Sequence, residues 1–189
     1  MANNVTTNLE FIRINEAGKE KLQELYSHIK QNGGYEWFSN LWNMDEEISS
    51  TYDWNVENVG SKWCYFDERG DDYFRVISAW SYPESGIRWL VEQLAEADPE
   101  VLVRVVYDDE MPNFFGAALY DADGIIDERE WDSEEIESIM KERMEEHQDL
   151  TEGSDEYIDV YYYSLWEMVH ETQEELIKEI LDSLNESEE

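Results

Sequence analysis

Basic residues are scarce in this chain of 189 residues: 13 Lys and Arg stand against 48 Asp and Glu, a formal net charge of −35. Nucleic acid is bound largely through Lys and Arg contacts to phosphates, so a surface this acidic repels DNA, RNA and anionic membranes alike. Cysteine is rarer still. Cys64 alone excludes an intrachain disulfide and points to a reducing cytoplasm. No apolar run approaches the ~20 residues of a membrane span, and residues 1–20 lack the basic start and apolar core of a secretory leader. Proline, present three times, is too rare for a Pro-rich linker.

Aromatic side chains, by contrast, are abundant: 8 Trp, 12 Tyr and 6 Phe within a hydrophobic content of 41%. Disordered acidic chains are poor in such residues, so the composition predicts a folded protein with an acidic exterior. The length fits one domain, or a domain with an added subdomain.

Periodicity gives the order of elements. Asn8–Ile14 alternates like a half-buried strand, and Leu22, Leu25, Tyr26 and Ile29 fall at helical spacing before Gly33-Gly34. The segment 35–50, with Trp37 and Trp42, reads as an aromatic insertion over the core. Residues 52–66 alternate Trp54, Val56, Trp63 and Tyr65 around Gly60, which predicts a strand with a bend. Residues 67–72 read as a turn and Tyr73–Trp80 as a strand. Pro83 precedes a helix with Ile87, Leu90, Val91 and Leu94 on one face, and Val101–Tyr107 with Phe114–Tyr120 reads as a hairpin.

After Asp121 the composition shifts. Residues 121–159 hold 17 acidic and 3 basic residues, yet Ser133 can cap a helix with Ile136, Ile139, Met140 and Met144 on one stripe. Tyr157–Tyr163 suggests a short strand. A final helix over 164–184 carries Leu165, Met168, Val169, Leu176, Ile177, Ile180, Leu181 and Leu184, a stripe that fits either the sheet or a second copy in a homodimer. Residues 1–100 carry a net −11 and residues 101–189 a net −24, so the C-terminal half dominates the field.

The order β-α-β-β-α-β and the run from Tyr52 to Trp63 (YDWNVENVGSKW), with Ala79-Trp80-Ser81-Tyr82-Pro83 before a helix, resembles the YubB ferredoxin-like domain family of phages and conjugative plasmids. The resemblance covers about Leu9 to Glu130. It implies an α+β fold, a ferredoxin-like antiparallel sheet with an acidic helical C-terminal extension, and a mobile-element setting; it supplies no catalytic residues. The expected division is a core over 1–130 and an acidic helical extension over 131–189 packed on it.

Motifs for chemistry are weak. Asp121-Ala122-Asp123-Gly124 begins like a calcium loop, but Ile126 stands where the loop glycine is required. Glu167-x-x-His170 has the spacing of a di-iron ligand pair without a second such pair, and Glu174 stands where a zinc helix needs its second His. No metal site, cofactor or catalytic group is therefore expected, and Gly33-Gly34 lacks the Lys of a phosphate loop.

Charge is the remaining specific feature. Duplex DNA carries one charge per about 1.7 Å, so 35 charges match roughly 20 base pairs, on a globule roughly 40 Å across. Glu134–Asp149 alone, with 7 acids and 2 bases, spans about 24 Å of helix at one net charge per ~5 Å, sparser than a single DNA strand. Several acidic elements must lie side by side to imitate a duplex.

The favoured expectation is a DNA mimic: a phage or mobile-element inhibitor, not an enzyme, that fills the basic groove of a host protein that binds DNA or RNA. Its contact acids are expected to be Asp108, Asp109, Glu110, Asp127, Glu128, Glu130, Asp132, Glu134, Glu135, Glu142, Glu145 and Glu146. The alternative is an acidic accessory or scaffold protein whose function lies in an aromatic patch at Trp37 and Trp42.

Overall fold

Strict alternation in the first strand builds the sheet. In β1 (Asn4–Arg13) Val5, Thr7, Leu9 and Phe11 are buried on one face, while their neighbours are half-buried or exposed. A computed structural model describes residues 3–31, 51–70, 72–147 and 149–187. After β1 come α1 (Glu16–Gln31), α2 (Thr51–Asn58), β2 (Cys64–Arg69), β3 (Tyr73–Ala79), α3 (Glu84–Ala95), β4 (Leu102–Asp109), β5 (Phe115–Asp121) and β6 (Gly124–Trp131). The chain then forms α4 (Ser133–Met144), a 3₁₀ turn (Glu145–His147) and α5 (Asp155–Ser187). The strands make one six-stranded sheet in the order β2-β3-β1-β4-β5-β6, with every neighbouring pair antiparallel. The fold is α+β.

Helices cover both sides of the sheet. On one side α1 and α3 set Leu22, Tyr26, Ile87, Leu90 and Leu94 against Leu9, Phe74, Val105 and Tyr120. On the other, α4 and α5 bury Ile136, Met140, Leu165, Met168 and Val169 against Phe115 and Trp131, and Ile180 against Leu102 and Leu119. The consequence shows in β5, where Phe115 to Tyr120 are all buried because both faces are covered. Gln173, buried in the middle of α5, donates from Nε2 to the carbonyls of Tyr107 (3.0 Å) and Gly116 (3.1 Å), fixing the helix to the β4–β5 pair. The apolar stripe of α5 is thus spent on the chain's own sheet.

Several sequence expectations change. Tyr52–Asn58 is not the first half of a strand: α2 is a helix, with Asn55 and Val59 inward at i, i+4 and Tyr52 and Val56 outward on the same spacing. The strand begins at Cys64 and extends through Arg69, into the expected turn. Tyr157–Tyr163 is helical too, since α5 starts at Asp155 and runs 33 residues. A sixth strand, β6, occupies acidic residues to which the sequence pattern assigned no element. Asp132, not Ser133, caps α4: its side chain accepts from Glu134 N (2.9 Å) and Glu135 N (3.0 Å), while Glu135 accepts from Asp132 N, a complete capping box.

Candidate partner-binding surface

The acids singled out by sequence take four different positions. Asp109 is fully buried at the end of β4, where it accepts from Asn113 N (2.8 Å), Asn113 Nδ2 (2.7 Å) and Asn3 Nδ2 (3.2 Å); it closes the turn to β5 and cannot meet a partner. Its neighbour Asp108 points to the opposite face and is half-buried, and burial, with a smaller contribution from Asp109, pushes its carboxyl up to about 6. Glu110 is exposed and accepts from Asn4 Nδ2 (2.8 Å).

Three acids come from β6. Asp127 is exposed, and its side chain accepts the backbone N–H of Glu128 (2.8 Å). Glu128 turns toward the α3 side, where its Oε1 accepts from Tyr82 (2.5 Å) and Tyr107 (3.1 Å). The rings of Tyr82 and Tyr107 stack 4.0 Å apart, and the Tyr82 hydroxyl also meets that of Tyr120 at 3.4 Å. Burial raises the pKa of all three phenols, and the nearby Glu128 charge adds to it, so each stays a proton donor or neutral partner. Glu130 receives a longer bond from Tyr107 (3.4 Å), and its carboxyl is raised, chiefly by desolvation.

The remaining acids belong to α4 and its flanks. Asp132 and Glu135 form the capping box, and Glu135 also pairs with Arg129 (3.2 Å). Glu134, Glu142, Glu145 and Glu146 are exposed. Of the twelve expected contacts, then, Asp109 is buried, Glu128 serves the tyrosine cluster, and the four acids on the open surface of α4 and the turn after it stand together.

Sequence reasoning named too few residues on α5. All ten of its acids are exposed over about 50 Å of helix at 1.5 Å per residue, and Glu167, Glu171, Glu175 and Glu179 form an i, i+4 row that was visible in the sequence. Helix α4 lies beside it: Arg143 reaches from α4 to Glu171 and to Glu167 (3.7 Å). Arg104 similarly ties Glu174 to Glu10 on β1. With six acids and two bases in α4 and the 3₁₀ turn, and ten acids and one base in α5, the pair carries a net −13. That is one net charge per ~4 Å of α5, close to the 3.4 Å of one DNA strand and sparser than the 1.7 Å of a duplex. Exposed Ile158, Tyr162 and Tyr163 interrupt the acids near the start of α5.

Trp37 and Trp42 lie outside the described residues. Among the described residues no group of three His, Cys, Asp or Glu side chains is placed to hold a metal ion. Asp121 instead accepts from Asp123 N (2.8 Å) in the tight β5–β6 turn, where Gly124 has φ +121°. Among the described residues no helix is long and apolar enough to cross a membrane.

No protein-family model matches this sequence, and no curated protein matches it. Among solved structures it is similar to protein api92 from Yersinia pseudotuberculosis, of family DUF1281, at 20% identity and a TM-score of 0.31. That match covers 55% of this chain and 35% of the other, so this chain spans about a third of the length of the protein it resembles.

Proposed function

We propose that the protein is a DNA mimic that inhibits a host DNA- or RNA-binding protein, such as a defence or nucleoid protein, by filling its basic groove. The observation that carries this reading is the adjacent pair α4 and α5, whose exposed carboxylates approach the linear charge density of one nucleic-acid strand. Glu134, Glu142, Glu145 and Glu146, with the α5 row from Glu167 to Glu179, stand in for phosphates against Arg and Lys of the partner. Tyr162 and Tyr163 supply aromatic contact within the acidic surface. On this reading the protein is a binding protein, not an enzyme, and acts in the cytoplasm of a phage- or plasmid-bearing cell. The β2-β3-β1-β4 order supports reading the first four strands with α1 and α3 as the ferredoxin-like unit that the YubB resemblance implies, with the acidic helices as an extension of it.

Affinity capture from host lysate tests the proposal. Wild-type protein is expected to retain nucleic-acid-binding proteins, and reversal to Lys of Glu134, Glu142, Glu145, Glu175 and Glu179 to release them. Alanine at Trp37 and Trp42 is expected to leave capture intact. Loss of capture in the Trp variants alone would favour the accessory-protein reading instead.

A further inference from the structure

Trp80 is the non-glycine residue with positive φ (+74°) among the described residues, a left-handed conformation that strains any residue carrying a Cβ. Neighbouring bonds hold it there. Trp80 N donates to Asn3 O (3.0 Å), Ser78 Oγ to Ser81 O (2.8 Å) and Ser81 Oγ to Gly60 O (2.7 Å), with Gly60 itself at φ +90°. The strained turn leaves the indole 55% exposed. It forms one wall of a cavity of about 380 Å³, completed by Tyr82, Phe114, Glu84 and Glu130.

Aromatic walls and carboxylates together suit a flat cation. Trp80 already shows this affinity within the chain, since Lys62 Nζ sits 3.6 Å from its ring centroid. Glu84 is engaged by Arg88 (2.7 Å), which leaves Glu130 as the principal counter-charge, and the charge of an entering cation offsets the desolvation that raises its carboxyl. We propose that this cavity binds the guanidinium of one arginine side chain from a basic polypeptide. The guanidinium stacks on Trp80 or Phe114 and pairs with Glu130, a combination for which arginine's planar fork is better shaped than lysine's ammonium. The cavity lies on the α3 side of the sheet, across from α4 and α5, so the inference does not rest on the DNA-mimic reading.

The test is a titration of the full chain with the blocked tripeptide Gly-Arg-Gly and its citrulline counterpart at 150 mM salt, followed by the indole N–H resonance of Trp80, assigned with Trp80→Phe. Saturable binding of the arginine peptide, at least ten-fold tighter than citrulline and shifting that resonance, is expected. Glu130→Gln should weaken it about ten-fold, while Glu20→Gln on α1, an exposed acid outside both surfaces that removes the same charge, should change it less than two-fold. Lys62→Ala should tighten it by removing the competing cation. Equal binding of arginine and citrulline, equal effects of the two Glu→Gln changes, or an unmoved Trp80 resonance would overturn the proposal.

Discussion

The ring of Tyr107 lies over Gly116, its partner across the β4–β5 pair, so closely that a Cβ at Gly116 would overlap the ring and the hydroxyl. Both residues are buried, and the Tyr107 hydroxyl is held by Glu128, so the ring cannot swing clear. Gly116→Ala is therefore expected to cost about 2–4 kcal/mol in urea unfolding, at the severe end of overpacking. Adding Tyr107→Ala to it should cost less than the two single effects combined, because the clash is then gone.

Asp108 makes stability depend on pH in an unusual direction. Its native pKa, near 6, lies above the ~3.9 of an unfolded chain, so the folded state holds the proton more tightly. Its contribution is fully present below about pH 4 and is lost as pH rises through 6. Asp108→Asn, neutral at every pH, should gain about 1–2 kcal/mol over wild type at pH 8 and nothing at pH 4. Denaturation curves at the two pH values check this.

Hydroxyls of buried tyrosines should separate into two classes. Tyr26 is buried with no hydrogen-bond partner for its hydroxyl among the described residues, so Tyr26→Phe should be neutral or stabilising by up to ~1 kcal/mol. Tyr82→Phe loses the 2.5 Å bond to Glu128 and should cost about 1–3 kcal/mol, as expected of a bond to a charged acceptor. Thermal melts of the two variants provide the comparison.

Gln173 should act as the fastener of the acidic helix. Its two bonds to Tyr107 O and Gly116 O are buried, and Gln173→Leu leaves both carbonyls without that donor. A loss of about 1–3 kcal/mol is expected, with hydrogen exchange quickening in residues 164–184 before the α1–α3 side of the sheet.

What the sequence made legible depended on whether one physical signal dominated. The alternation of β1 and β3, the Pro83-led α3 and the β4–β5 hairpin were readable because each buries one clear face or runs apolar throughout. Helix α2 was misread because Tyr52, Trp54 and Val56 carry strand-like composition at period 2, whereas the buried positions are Asn55 and Val59. The β6 edge strand hid behind Asp127, Glu128, Arg129 and Glu130, the charged side chains with which exposed edges avoid further pairing. Among the candidate contacts, the exposed acids of α4 followed from its stripe of Ile136 and Met140. Asp109 did not, because its carboxylate is spent on turn geometry that residue type alone does not show.

Whether α4 and α5 imitate nucleic acid is decided by competition: a captured DNA-binding partner is titrated with this protein in the presence of labelled duplex, at 50 and 500 mM salt. Mimicry by α4 and α5 predicts that protein and duplex exclude one another and that both affinities fall steeply together as salt rises. A ternary complex with both bound, or binding unchanged at 500 mM salt, would contradict it.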